Sequence, residues 1–138
     1  MNPTAARRAY LAVNVILAGV ILLIMGYSGF YSPDENNYPV VCVHERITGE
    51  PCPSCGLSHA FSMIIRGRVD EALQLNSASL RVFLFFVLQL IMRIALGIWN
   101  MVTDRWLKQI IWFDAVTSSA MTLFAFYPFL RALWMALF

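Results

Sequence analysis

The residues best suited to chemistry lie in one short segment, residues 51–59, which reads Pro-Cys-Pro-Ser-Cys-Gly-Leu-Ser-His. Its two cysteines, Cys52 and Cys55, are separated by two residues, a spacing that lets both thiolates bind one metal ion. The glycine that follows permits the positive φ that turns backbone amide groups toward sulfur. A Cys-Pro-x-Cys-Gly sequence therefore has the form of a zinc or iron knuckle.

A single knuckle supplies only two ligands, so a four-ligand site needs two more side chains from elsewhere in the chain. Cys42, His44 and His59 are the candidates. Cys42 and His59, added to the knuckle, could close a site of three cysteines and one histidine, with zinc as the candidate metal. A second Cys-x-x-Cys pair, which would strengthen this interpretation, is missing from the sequence.

The same cysteines could instead form a redox pair. Residues 57–66 have the composition of a short helix that ends at Gly67, which places Cys55 near the N-terminus of that helix. There the helix dipole stabilises a thiolate and lowers the thiol pKa, as in dithiol oxidoreductases, and Cys42 could act as the resolving thiol. Because a structural disulfide or an inert thiol pair fits equally well, metal, redox and inert roles all stay open.

The composition places these cysteines in a membrane protein. Of the 138 residues, 59% are hydrophobic and 13% are charged, about half the charge of a soluble domain. Three apolar runs, at about residues 10–31, 80–102 and 106–127, are each long enough to cross a hydrocarbon core of about 30 Å. We therefore predict an all-α integral membrane protein with three transmembrane helices, in one domain. The polar segment 32–79 carries the cysteines and a short interfacial helix outside the membrane.

The predicted helix ends follow from local signals. A short polar turn at Thr103 and Asp104 makes the second and third helices antiparallel neighbours. Pro128 is expected to kink or end the third helix and to leave residues 129–138 as an apolar tail that either continues the helix at an angle or lies at the membrane interface. Tyr10 lies at the start of the first run, where aromatic side chains commonly anchor a helix at the membrane interface.

Positive charges set the expected orientation. Arg7 and Arg8 precede the first run and favour a cytoplasmic N-terminus, and Arg105 and Lys108 return to the same side after the second run. The polar segment 32–79 then faces outward. Basic residues are scattered along the chain, without the clustered stripe that nucleic-acid binding needs. The expected partners are therefore the lipid bilayer and either another membrane protein or a second copy of the chain.

Two charged side chains fall inside the predicted spans, Arg93 in the second and Asp114 in the third. Each costs at least about 2.5 to 3.5 kcal/mol at such a depth unless it finds a partner. Measured along antiparallel helices from the turn at residues 103–104, the two lie at similar depth. We therefore predict an Arg93 to Asp114 ion pair that pins the second helix to the third. Gln89 and Ser118 are likewise equally far from this turn, which predicts a hydrogen bond between these two side chains.

These residues give the chain a family resemblance. From Cys42 onward it resembles DUF2752, a family of small bacterial membrane proteins known only as a domain of unknown function. The resemblance is carried by Cys42, by residues 48–60, by Gly67, by the Ala-Leu-x-x-Asn pattern of residues 72–76 and by the Tyr-x-x-x-Arg pattern of residues 127–131. It implies three spans in a bacterial inner membrane and the three cysteines acting as a unit, and it implies no activity. This chain has Ser-His at residues 58–59 where the family usually has Thr-Arg.

Three functions are compatible with the sequence. We expect an accessory or interaction subunit whose polar segment is held by a metal or a disulfide, because so small a chain lacks a complete catalytic constellation. The alternative is a membrane thiol-disulfide oxidoreductase that uses Cys52 and Cys55. A small transporter or channel would need a polar path through the spans, and Gln89, Arg93 and Asp114 offer too little for one unless the protein oligomerises.

Overall fold

The structure is a computed structural model that describes residues 3–34, 49, 54–103 and 106–137. Over these residues the chain is helical and has no strand, which confirms the predicted all-α fold class. The five described helices are α1 (Pro3–Phe30), α2 (Leu57–Ile65), α3 (Val69–Leu75), α4 (Ser79–Val102) and α5 (Leu107–Leu137). Cys42, His44 and Cys52 lie outside the described residues, as do Asp104 and Arg105.

Three of these helices are long and apolar enough to cross a membrane, over Thr4–Phe30, Ser79–Val102 and Leu107–Met135. Many of their large apolar side chains are exposed. Leu23 is 74% exposed and Trp112 is 72% exposed. Helices with apolar residues on their outer surface bury that surface in lipid. The chain is therefore a multi-pass membrane protein.

Two helix ends differ from the expectation. Helix α1 begins at Pro3, so Arg7 and Arg8 lie inside its first turns rather than before it. Proline suits a helix start, because the amide hydrogen it lacks would have no partner there. Helix α5 continues through Pro128 to Leu137, so of the two alternatives at Pro128 the one in which the third helix ends there is wrong, and a kink stays a prediction. In lipid a helix that continues past a proline leaves fewer backbone groups unpaired than one that stops there.

The chain divides into two compact units. The first comprises Met1–Ile24 with Leu84–Phe124, and the second comprises Met25–Phe83 with Ala125–Phe138. In the second unit Phe61 of α2 packs edge-on against Phe83 of α4, with ring centroids 5.5 Å apart. Helices α2 and α3 also pack against each other. The second unit thus contains the helical part of the predicted polar segment.

In the first unit, Arg7 of α1 reaches the carboxyl end of α4. Its Nε donates to the Asn100 carbonyl at 2.8 Å, and its Nη2 donates to the Met101 carbonyl at 2.6 Å. These carbonyls lie in the last turn of α4, where the helix itself supplies no donors. A cation there also offsets the negative end of the helix dipole. Arg7 therefore caps α4, a role separate from the one in setting orientation that the sequence suggested.

Replacing Arg7 by alanine is expected to lower the free energy of unfolding by about 1 to 2 kcal/mol, because two charge-assisted hydrogen bonds are lost. Thermal unfolding in mild detergent measures the change. Arg8→Ala is the matched control, since it removes the same charge from the next residue, which is exposed. Equal losses in the two variants would show that Arg7 contributes only its charge.

Candidate functional site

A buried ion pair lies in the first unit. The guanidinium of Arg93 on α4 contacts the carboxylate of Asp114 on α5 through two hydrogen bonds. One joins Nη1 to Oδ2 at 2.7 Å, and the other joins Nη2 to Oδ1. The two side chains are only 4% and 8% exposed. The paired geometry is the strongest form of contact that arginine makes with a carboxylate, and it joins the two residues that the sequence analysis paired.

Helix α1 supplies two further partners to this pair. The hydroxyl of Tyr10 donates to Asp114 Oδ2 at 2.8 Å, and Oδ1 of Asn14 accepts from Arg93 Nη1 at 3.3 Å. The Asn14 amide also donates to the Tyr10 carbonyl at 2.9 Å. The sequence alone indicated an interfacial position for Tyr10 and no role for Asn14. The available signal was their spacing of four residues, which puts both on one face of a helix.

Gln89 and Ser118 complete the group, in a different arrangement from the one predicted. Both contact Nη2 of Arg93, at 3.3 Å from the Gln89 oxygen and 2.6 Å from the Ser118 hydroxyl. Ser118 also donates to Asp114 Oδ1 at 3.0 Å. The direct bond expected between Gln89 and Ser118 is thus replaced by bonds to the guanidinium that lies between them. We call these six residues, Tyr10, Asn14, Gln89, Arg93, Asp114 and Ser118, the intramembrane polar cluster.

The intramembrane polar cluster contains one carboxylate and one guanidinium, and their charges are paired with each other. A path for protons or ions usually requires several ionisable groups in sequence. The cluster instead joins side chains from α1, α4 and α5 at one level of the first unit. This geometry favours the pinning role over transport.

The second site is the turn at Cys55 and Gly56, in the second unit. Gly56 has φ +76°, and it precedes the first residue of α2. A Cβ atom at this position would lie 2.9 Å from Cγ of Leu75, so any residue other than glycine would force the Leu75 side chain to shift, in addition to the strain of the positive φ. The side chain of Asn76 donates to the Cys55 carbonyl at 3.1 Å and accepts from the Ala78 amide at 2.9 Å. The end of α3 therefore holds the cysteine turn in place.

Helix α2 is bonded in turn to the carboxyl end of α1. The Ser62 hydroxyl donates to the Tyr31 carbonyl at 2.6 Å, and Arg66 Nη2 donates to the Gly29 carbonyl at 3.1 Å. Arg66 also donates to the Ser62 carbonyl at 3.1 Å. Since these carbonyls lie at the end of a long helix, they need donors from outside it. Ser62 of α2 and Arg66, which follows α2, thus fix this helix against the end of the first span.

An exposed charged group continues this attachment. Arg68, which precedes α3, bonds both Asp34 and Glu71. The guanidinium donates to Glu71 at 2.7 and 2.6 Å, and these bonds lower the pKa of the Glu71 carboxyl. The two bonds to Asp34 are 2.8 and 3.0 Å long. Because all three groups are in contact with water, we assign this group a local role in positioning α3.

The structure describes two of the four predicted metal ligands. Cys55 is half-buried in its turn, and His59 is half-buried in the first turn of α2. Within the described residues, no three or more histidines, cysteines or acids are grouped so that they could hold a metal ion. Cys42 and Cys52 lie outside those residues, so the site of three cysteines and one histidine stays a prediction. The same holds for a disulfide.

Comparison with known proteins adds one finding. The model of the family described as protein of unknown function (DUF2752) matches residues 42–90, about a third of the chain. The matched segment includes all three cysteines, Gly56 and Asn76. No curated protein and no solved structure matches the chain. Over this segment the chain is therefore similar to a family without an established function.

Removing either charge of the buried ion pair is expected to lower the stability of the protein strongly. Arg93→Leu or Asp114→Asn alone should lower the free energy of unfolding by about 3 to 5 kcal/mol, because each leaves an uncompensated partner in the protein interior. The double variant should lose clearly less than the sum, because no charge is then left unpaired. Unfolding in detergent measures all three, with the exposed Asp70→Asn as control. Additive losses would contradict the pinning role.

Replacing Gly56 by alanine is expected to destabilise the cysteine turn by about 1 to 3 kcal/mol, from the positive φ together with the close approach of Leu75. Gly67→Ala is the matched control, because Gly67 has φ +78° with nothing within 4 Å of the added atom. Hydrogen exchange of the α2 and α3 amides measures both. If the two variants open the segment equally, the contact with Leu75 does not constrain the turn.

Proposed function

We propose that this chain is a DUF2752 member that acts as an accessory or interaction subunit in a membrane assembly, with its polar segment as the recognition surface. The observation that carries the proposal is the construction of the cysteine turn. Leu75 packs against Gly56, and Asn76 bonds the Cys55 carbonyl. A fixed turn of this kind suits a surface that a partner recognises, because little order has to be gained on binding.

The surroundings of the turn support the same interpretation. Ser54 and Ser58 are exposed, whereas Cys55 and His59 are half-buried. The sequence contains no nucleophile elbow, phosphate loop or paired zinc-ligand helix motif. In the proposed arrangement the N-terminus lies in the cytoplasm of a bacterium and the polar segment lies outside its inner membrane, where it could meet a partner.

A metal or a disulfide would hold the part of the segment that contains Cys42 and Cys52. For a zinc site, the ligands would be these two cysteines with Cys55 and His59. The positive φ of Gly56 is the backbone geometry that a knuckle needs, and His59 follows Cys55 by four residues, on the same helical face. Zinc would be structural, since a site closed by four protein ligands has no position left for a substrate.

One observation favours the alternative, a membrane thiol-disulfide oxidoreductase. Cys55 directly precedes the turn into α2, where the amino end of the helix would stabilise a thiolate. In this alternative Cys52 and Cys55 form the redox pair, and Cys42 resolves it. The metal site and the redox pair compete for the same thiols, so one set of measurements separates them.

The first measurement is the zinc, iron and free-thiol content of protein purified in mild detergent without reductant or chelator. The structural role predicts either about one metal ion per chain, lost in Cys52→Ser and in Cys55→Ser, or no metal and one free thiol. Three free thiols without metal would contradict both forms of the proposal, because nothing would then hold the segment.

The second measurement separates an accessory subunit from an enzyme. The purified chain is incubated with a reduced, unfolded test protein and an excess of glutathione disulfide, which accepts the electrons, and disulfide formation in the test protein is followed over time. The proposal predicts the same rate as for the Cys52→Ser, Cys55→Ser double variant. Multiple turnovers that this double variant lacks would overturn the accessory role and establish the oxidoreductase.

A further inference from the structure

One end of the first unit carries positive charge that no acid balances. The sequence of this unit contains five basic and two acidic residues, which gives its side chains a formal charge of +3. Arg93 and Asp114 neutralise each other inside the spans, and Asp104 and Arg105 are adjacent in sequence and cancel in charge. The three cations that remain are Arg7, Arg8 and Lys108.

Helix geometry places these three cations at one depth. The midpoint of α4 lies close to the bilayer centre, because 24 residues of helix are about as long as a bilayer is thick. Arg7 bonds carbonyls in the last turn of α4, about 15 Å from that midpoint, and Arg8 follows it. Lys108 precedes Asp114 by six residues on α5, which places it about 9 Å beyond the ion pair toward the same end. Half of the hydrocarbon core is about 15 Å thick, so the three cations lie at the depth of the lipid headgroups.

Two tryptophans support this depth independently. Trp99 lies in the last turns of α4, and Trp106 directly precedes α5. Both side chains are more than half exposed. Indole rings are enriched where the hydrocarbon core meets the headgroups. The aromatic side chains therefore mark the same end of the first unit as interfacial.

Two of the three cations are available to a partner. The side chains of Arg8 and Lys108 are exposed, and neither forms an ion pair or a side-chain hydrogen bond with another described residue. Arg7 instead bonds the end of α4. In the second unit, by contrast, Arg66 bonds backbone carbonyls and Arg68 bonds two carboxylates. The first unit thus presents two uncompensated cations at headgroup depth.

Depth and charge together define the partner. At the edge of the hydrocarbon core a helix is surrounded by the phosphates and esters of lipids, so the anions that Arg8 and Lys108 meet there are lipid phosphates. The phosphate of a zwitterionic lipid is balanced by the amine of its own headgroup, whereas that of an anionic lipid is not. Each lysine or arginine near a negatively charged bilayer surface raises affinity by about fivefold.

We propose that this end of the first unit selects anionic phospholipids, with Arg8 and Lys108 as the side chains that bind their phosphate oxygens. Such selection goes beyond the lipid contact that any apolar span makes, because it distinguishes lipids by headgroup charge. The proposal holds for whichever leaflet this end faces. It does not depend on the proposed function of the cysteine segment.

The test uses the tryptophans of this end as reporters. Three of the four tryptophans lie in the first unit, and Trp134→Phe removes the fourth. This chain is reconstituted into bilayers of equal parts phosphatidylglycerol and phosphatidylcholine, with brominated acyl chains on one lipid at a time. Bromine quenches nearby tryptophan fluorescence, so the ratio of quenching reports which lipid surrounds this end. Phosphatidylglycerol should be favoured by at least about threefold at low salt, and by much less at about 1 M salt, where screening acts within about 3 Å.

Charge variants locate the preference. Arg8→Gln combined with Lys108→Gln should bring the ratio of the two lipids close to one, and Lys108→Gln alone should at least halve it. Arg131→Gln is the matched control, because Arg131 is an exposed cation on the same helix in the second unit. It should leave the ratio unchanged.

Three results would overturn the proposal. Equal quenching by the two lipids before any charge is changed would show no selection, and would favour an acidic protein segment as the partner of these cations. A preference that survives the loss of both Arg8 and Lys108 would assign it to other groups. Equal losses in Lys108→Gln and Arg131→Gln would show that net charge, rather than this surface, attracts the lipid. The comparison of the two lipids does not require any charge variant to fold.

Discussion

The pairing of Arg93 with Asp114 is the contact that organises the first unit. Either charge alone inside a span costs at least about 2.5 to 3.5 kcal/mol, which favours the register of α4 and α5 that brings the two side chains together. Tyr10 and Asn14 then bond the same pair from α1, which sets the rotation of the first helix as well. Because the outer surfaces of these helices are apolar and gain little by packing together in lipid, polar contacts carry much of their specificity.

The part of this arrangement that the sequence predicted is the part fixed by short connections. A turn of a few residues and a constant rise per residue place Arg93 and Asp114 at one depth by arithmetic. Helix α1 has no short link to either partner helix, so its register could not be calculated, and Tyr10 was assigned to the interface. The contacts of Gln89 and Ser118 differ from the predicted direct bond for another reason. The guanidinium of Arg93 stands on a long side chain and carries several donors, so it bonds the oxygens of both residues itself.

In the cysteine segment, the sequence alone revealed the Cys-Pro-x-Cys-Gly motif. The structure explains why Gly56 and Asn76 accompany its cysteines. Gly56 is needed because Leu75 lies against it, and Asn76 is needed because it bonds the Cys55 carbonyl. Residues 42–90, where the chain matches DUF2752, thus contain two contacts that are distant in sequence and adjacent in the fold. Helix α3, with seven residues, is too short to show a reliable apolar period, so the sequence did not predict it. Ligand identity at the knuckle is not predictable, because one Cys-x-x-Cys pair leaves half of a metal site unspecified.

The most direct test of the central contact is a magnetic-resonance distance measurement in bilayers. The chain is labelled with nitrogen-15 in the arginine guanidinium groups and with carbon-13 in the aspartate carboxyl groups. Dipolar dephasing between the two labels then reports every arginine and aspartate in contact, including Arg68 with Asp34. A strong short-range component should disappear in Asp114→Asn while the remainder persists. An unchanged signal in that variant would show that Arg93 and Asp114 are not paired in the membrane.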